Sequence, residues 1–121
     1  MFPGMSEYHE PETELPDGIR DAHRALTSLK EELEAIDWYH QRWAACKDES
    51  LRAVMAHNRD EEIEHAVMNL EWLRRNMAKW DATLRTYLFK AEPITEIEAA
   101  VENGGAAPRQ DLGIGSLRGE R

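Results

Sequence analysis

The chain has 121 residues, room for one small domain. Its 24 acidic against 15 basic side chains leave a formal charge of −9, which disfavours a sequence-independent hold on nucleic acid or on an anionic membrane and suits small cations. No apolar run is long enough to span a bilayer, residues 1–18 lack the basic start and apolar stretch of a secretory signal, and the lone Cys46 cannot pair within the chain. Together these predict a cytoplasmic protein with neither a nucleic-acid nor a membrane partner.

In chain order, residues 1–18 hold three of the five prolines and read as an irregular arm. A helical domain is expected over 19–101. From about Asp21 to Cys46 there is neither Gly nor Pro, and helix formers dominate. Lys47-Asp48-Glu49-Ser50 is a polar break with two candidate N-caps, Asp48 and Ser50. A second helical stretch runs from near Leu51 to about Phe89, with Asn76 as the point where it bends or stops. Pro93 closes that region, and the Thr95–Glu98 spacing is that of a capping box opening a short third helix. After Glu102 the Gly/Ala/Pro composition is that of a flexible tail, 102–121. The class is all-α. Two long helices joined by a tight turn make an antiparallel hairpin, which buries one face of each helix and leaves apolar surface wet. Two such hairpins complete a four-helix bundle, so the simplest partner is a second copy.

At about 100° per residue, Ala25, Leu29, Glu32, Ile36, Tyr39 and Trp43 share one stripe of the first helix, which sets Glu32 inside an apolar face. On the second, Leu51, Met55, Asn58, Glu62, His65, Asn69 and Leu73 share a stripe. A buried carboxylate without a partner is costly, and several converging on a bundle interior ask for a cation. Glu62-x-x-His65 is the i, i+3 pair found on two helices of di-iron and di-manganese carboxylate bundles, whose other two helices each give one Glu. This chain holds half of that set, and two copies supply four carboxylates and two imidazoles, a charge of about −4 that balances two divalent ions. Oxygen-rich ligation with one His per metal favours iron or manganese, and zinc also fits the mixture.

Glu31, Glu34 and Trp38 occupy another face, roughly 100–160° around the helix from Glu32. They read either as a solvated acidic patch or as a feeder site drawing ferrous ions by its negative potential. Tyr39 reads either as a core tyrosine or as a hydrogen-bond partner or radical relay beside Glu32. Glu61 and Glu64 read as solvent or inter-subunit charges, and His57 lies away from Glu62. Trp72 and Trp80 read as packing residues and Cys46 as a bystander.

The words EELEAIDWY (31–39), AHNRDEE (56–62), His65, EWLRRN (71–76) and LRTYLF (84–89) closely resemble encapsulated ferritins, over roughly residues 20–100. The resemblance implies a ferritin-like two-helix subunit whose ferroxidase centre forms between two chains, with Glu32, Glu62 and His65 as ligands and Tyr39 beside them. It implies Fe²⁺/Fe³⁺ at a di-iron site, with Ca²⁺ or Zn²⁺ able to occupy the sites. It further implies an annular decamer of five dimers, Glu31 and Glu34 lining a metal-attracting site near Trp38, and a place inside an encapsulin nanocompartment. LGIGSL (Leu112–Leu117) looks like the peptide that docks such cargo in the shell, which would store the mineral.

Three functions follow for test: a ferroxidase oxidising Fe²⁺ to Fe³⁺, a helical cargo protein whose metal only staples the dimer, and a di-metal oxygenase. The last is disfavoured because no second domain or substrate pocket is evident.

Overall fold

A computed structural model describes residues 7–104. Among the described residues there are four α-helices, a 3₁₀ turn and no strand: α1 (Asp17–Ala45), α2 (Glu49–Asn76), α3 (Ala78–Tyr87) and α4 (Ile94–Glu102). None of these helices is long and apolar enough to cross a membrane. The docking peptide expected at Leu112–Leu117 lies outside the described residues. The chain forms two compact units, Met1–Leu70 and Glu71–Arg121, whose boundary falls inside α2.

In the first unit, α1 starts four residues ahead of the expected Asp21. Pro16 holds the N-cap position, and Asp17 adds a carboxylate to the first turn, where the helix dipole favours it. Gly18, the last residue of the expected arm, is accommodated in that first turn. Within the described part of the arm, Glu12–Glu14 forms one 3₁₀ turn, Arg20 Nη2 donates to the Glu12 carbonyl at 2.6 Å, and the Tyr8 and His23 rings lie 4.3 Å apart. Lys30 Nζ meets Glu7 at 3.3 Å.

The turn between α1 and α2 is set by Asp48, one of the two expected caps. Its Oδ2 accepts from the Leu51 amide and from Ser50 Oγ, each at 2.9 Å, and these bonds, the amide first, hold its carboxyl below the usual range. Beyond the turn, Arg52 Nε donates to the Trp43 carbonyl at 3.0 Å. Arg59 Nη1 lies 3.1 Å from His40 Nδ1, and Asn69 Nδ2 donates to Glu32 Oε1 at 2.9 Å. Contacts that step back along α1 as they step forward along α2 make the pair antiparallel. The Trp43 ring, stacked on His40, has the Arg52 and Arg59 guanidiniums at 4.9 and 5.3 Å.

Among the described residues of this unit few side chains are deeply buried, and those are small: Ala22, Ala25 and Ala66. Larger apolar side chains remain open to solvent, among them Leu26, Leu33 (55 % exposed), Val54, Ile63 and Val67 (57 %).

In the second unit the helical stretch expected from Leu51 to Phe89 is interrupted beside Asn76, the point marked in the sequence. Met77 is extended (φ −137°, ψ 111°), and the Asn76 amide donates to the Trp72 carbonyl at 2.8 Å, a side-chain bond of the kind that competes with helix continuation. The chain leaves α3 through Phe89 at φ 61°. α4 begins at Ile94 with Pro93 as N-cap and no side-chain cap bond, so Thr95 sits inside the first turn and the expected capping box is not the start signal. Pro93 supplies it by presetting φ at −56°. α3 and α4 pack together. Leu73 is fully buried, while Trp72, expected to pack, is exposed and Trp80 is half-buried.

A charged network replaces apolar packing at Asp81, 2 % exposed. Its Oδ1 accepts from Arg74 Nη1 and from Arg85 Nε, the latter at 2.9 Å. Arg74 also forks onto Glu71, with both bonds at 2.8 Å, and Arg75 reaches Glu71 at 2.7 Å. Arg74 first, then Arg75, hold the Glu71 carboxyl down at about 2. Glu71 and then Asp81 hold the Arg74 guanidinium well above its usual range.

Candidate metal centre

The two helical stripes read from the sequence face inward. On α1, Ala25 is buried, and Leu29, Glu32, Ile36, Tyr39 and Trp43 are half-buried. On α2, Met55, Asn58, Glu62, His65 and Asn69 are half-buried and Leu73 is fully so, while Leu51, in the first turn, is open. The 3.6-residue period explains why: a carboxylate at Glu32 keeps the direction of its apolar neighbours three and four residues away.

Antiparallel pairing then brings Glu32 opposite Glu62 and His65. One ligand atom from each of the three lies within 4.8 Å of the others. His65 Nδ1 and Glu62 Oε1 are 3.5 Å apart, and Asn69 Nδ2 caps Glu32 Oε1. Two donors on one cation, each about 2.1 Å from it, lie at most about 4.2 Å apart. Only one pair of a three-donor set can span that diameter and the others must come closer, so side-chain movement is needed to close this set on an ion. Two carboxylates and one neutral imidazole carry enough charge for a divalent cation and leave its other positions open.

The remaining candidates lie elsewhere. Tyr39 is two turns beyond Glu32 on the same stripe, about 10 Å along the axis, with the Arg42 guanidinium 5.3 Å over its ring. Glu31 and Glu34 are exposed and Trp38 is half open. Glu34 lines a shallow groove with Leu26, Leu29, Lys30, Leu33 and Asp37, which adjoins the Glu32 stripe only at Leu29. His57 stands away from the three-residue set, 3.8 Å from Glu61, and Cys46 Sγ lies 3.7 Å from the Asp48 carbonyl. Sequence reasoning assigned nothing to Asn69 beyond its stripe. The signal it carried was its own: an Asn in mid-helix, on the ligand face, is a poor helix former.

The sequence pattern of the EncFtn-like family matches residues 7–91. A ferritin-like protein of Thermotoga maritima is 59 % identical over 111 residues, covering 92 % of this chain and 97 % of that one. An encapsulated ferritin-like protein of Rhodospirillum rubrum is 55 % identical over 131 residues, covering 99 % of this chain and 94 % of its own length. Among solved structures, protein ne0167 of Nitrosomonas europaea superposes with a TM-score of 0.71 at 57 % identity, over 74 % of this chain and 98 % of that one.

Proposed function

The chain belongs to the EncFtn-like family, and from that premise we propose that it is a ferroxidase, oxidising Fe²⁺ to Fe³⁺ at a di-iron centre completed by two copies of the chain. The observation that carries this reading is the convergence of Glu32, Glu62 and His65 from two helices. One chain supplies three donors, half of what two metal ions need in a carboxylate bundle. The apolar side chains left open on α1 and α2 make a second copy the natural cover, and five such pairs form the ring.

Fe²⁺ is the substrate. Each of two ferrous ions gives one electron to dioxygen, and the redox chemistry is the metal's own. The chain's residues bind and orient: Glu32 and Glu62 supply negative charge and His65 a neutral nitrogen donor, while the second copy covers what one chain leaves open to solvent. Exposed Glu31 and Glu34 beside Trp38 act as the feeder site, concentrating cations by their potential. Tyr39, two turns from Glu32 on the ligand stripe, is too far to hydrogen-bond it within one chain and takes the relay role.

The name of the Rhodospirillum rubrum relative supports an encapsulin shell as the second partner, with Leu112–Leu117 as the docking peptide and the shell's interior as the place of work. Anaerobic loading with Fe²⁺ followed by air tests the reaction. Catalytic growth of ferric absorbance, over many iron equivalents per chain, is the expected result; binding without turnover would leave only a metal staple.

A further inference from the structure

Glu32 is carried on α1, whereas Glu62 and His65 are carried on α2. The i, i+3 spacing fixes the second pair relative to each other, but no single helix fixes the first carboxylate relative to them. Asn69 makes that link. Its Nδ2 stands 2.9 Å from Glu32 Oε1 and 3.3 Å from the His65 carbonyl oxygen. A carboxylate and a peptide carbonyl only accept, so the amide must turn its nitrogen toward both, and its two N–H bonds serve one each. One side chain thereby ties the α1 carboxylate to the peptide of the α2 imidazole.

We infer that Asn69 is a positioning residue of the metal centre, holding Glu32 through Oε1 at the separation from His65 that a cation requires. The inference rests on the reading of Glu32, Glu62 and His65 as the metal centre. An amide suits the task because it donates without charge. A Lys or Arg at this position would compete with the incoming cation, and an Asp would offer Glu32 a repelling acceptor. With Oε1 engaged, Glu32 is biased toward holding a cation through its other oxygen, and the donor also offsets the repulsion between Glu32 and Glu62 before the ion arrives. Partners of this kind, one step removed from the metal, change affinity by about 10- to 100-fold when removed.

The test is titration of the full chain with Co²⁺ alone, followed by its d–d absorption, in the wild type, Asn69→Ala, Asn69→Leu and Glu32→Ala. Leu keeps the branching and heavy-atom count of Asn and removes the donor, so together with Ala it separates packing from positioning. Both Asn69 variants are expected to bind Co²⁺ at least about tenfold more weakly, with an altered absorption envelope that reports changed ligand geometry. Wild-type affinity and spectrum in Asn69→Leu would reduce Asn69 to a space-filling residue and overturn the inference. Glu32→Ala keeps the two readings apart. Lost Co²⁺ binding there, with wild-type behaviour in both Asn69 variants, overturns the role of Asn69 alone; wild-type binding in Glu32→Ala overturns the metal centre itself.

Discussion

The His65 imidazole lies 3.5 Å from the Glu62 carboxylate, one turn away on α2, and both face Glu32 on α1. Loss of any one donor leaves a two-donor remnant. Glu32→Ala, Glu62→Ala and His65→Ala should each slow ferrous oxidation by more than about tenfold, since even residues one step removed from a metal cost that much in affinity or activity. Stopped-flow absorbance after mixing with Fe²⁺ in air measures this. Wild-type rates in all three variants would remove the proposed centre.

Glu71 stabilises the fold in a pH-dependent way. Its folded value of about 2, against an ordinary 4.5, means that the folded chain keeps it ionised where the unfolded chain takes up a proton. The stabilisation is therefore complete above the ordinary value and is lost as pH falls through the window toward about 2. Glu71→Gln should lower the thermal midpoint at neutral pH, and the gap from wild type should narrow below about pH 4.5 and close near pH 2. Thermal unfolding followed by circular dichroism across that range gives the answer.

Asp81 is buried against Arg74 and Arg85. Asp81→Ala removes the carboxylate and leaves two guanidiniums around an unfilled space, a change expected to cost about 3 kcal/mol. Chemical denaturation should show a lower midpoint. Asp81→Asn, which keeps the shape and one acceptor, should cost less.

Removal of Asp111–Arg121 should abolish loading into an encapsulin shell while leaving the rate of iron oxidation unchanged. Co-purification of the shell with full-length and truncated chains, beside an oxidation assay of each, checks both halves. Loading by the truncated chain would place the docking signal elsewhere.

The inward stripes were legible in the sequence because a charged residue repeating among apolar ones at helical spacing is informative in a way that an apolar residue alone is not. Glu32, Glu62 and His65 meet for that reason, and Asp48 caps α2 as its place in the polar break suggested. The break at Met77 was only half legible, since Asn76 marked the place but no Gly or Pro forces an interruption there. The arm boundary erred in the opposite direction, since Asp17 and Gly18 lie in the first turn of α1. The Thr95–Glu98 spacing gave way to Pro93, which starts α4 two residues too early for that box. The bridge from Asn69 to Glu32 joins residues 37 apart in sequence, and the Arg74–Asp81 pair spans the break between α2 and α3. Neither follows from the periodicity of a single helix.

In the proposed ferroxidase neither copy alone owns a complete centre. Initial ferrous oxidation per chain, measured over a dilution series that carries the protein from assembled to monomeric while sedimentation reports the species, tests it most directly. Activity per chain should collapse in step with dissociation. A monomer oxidising iron at the assembled rate would contradict the account.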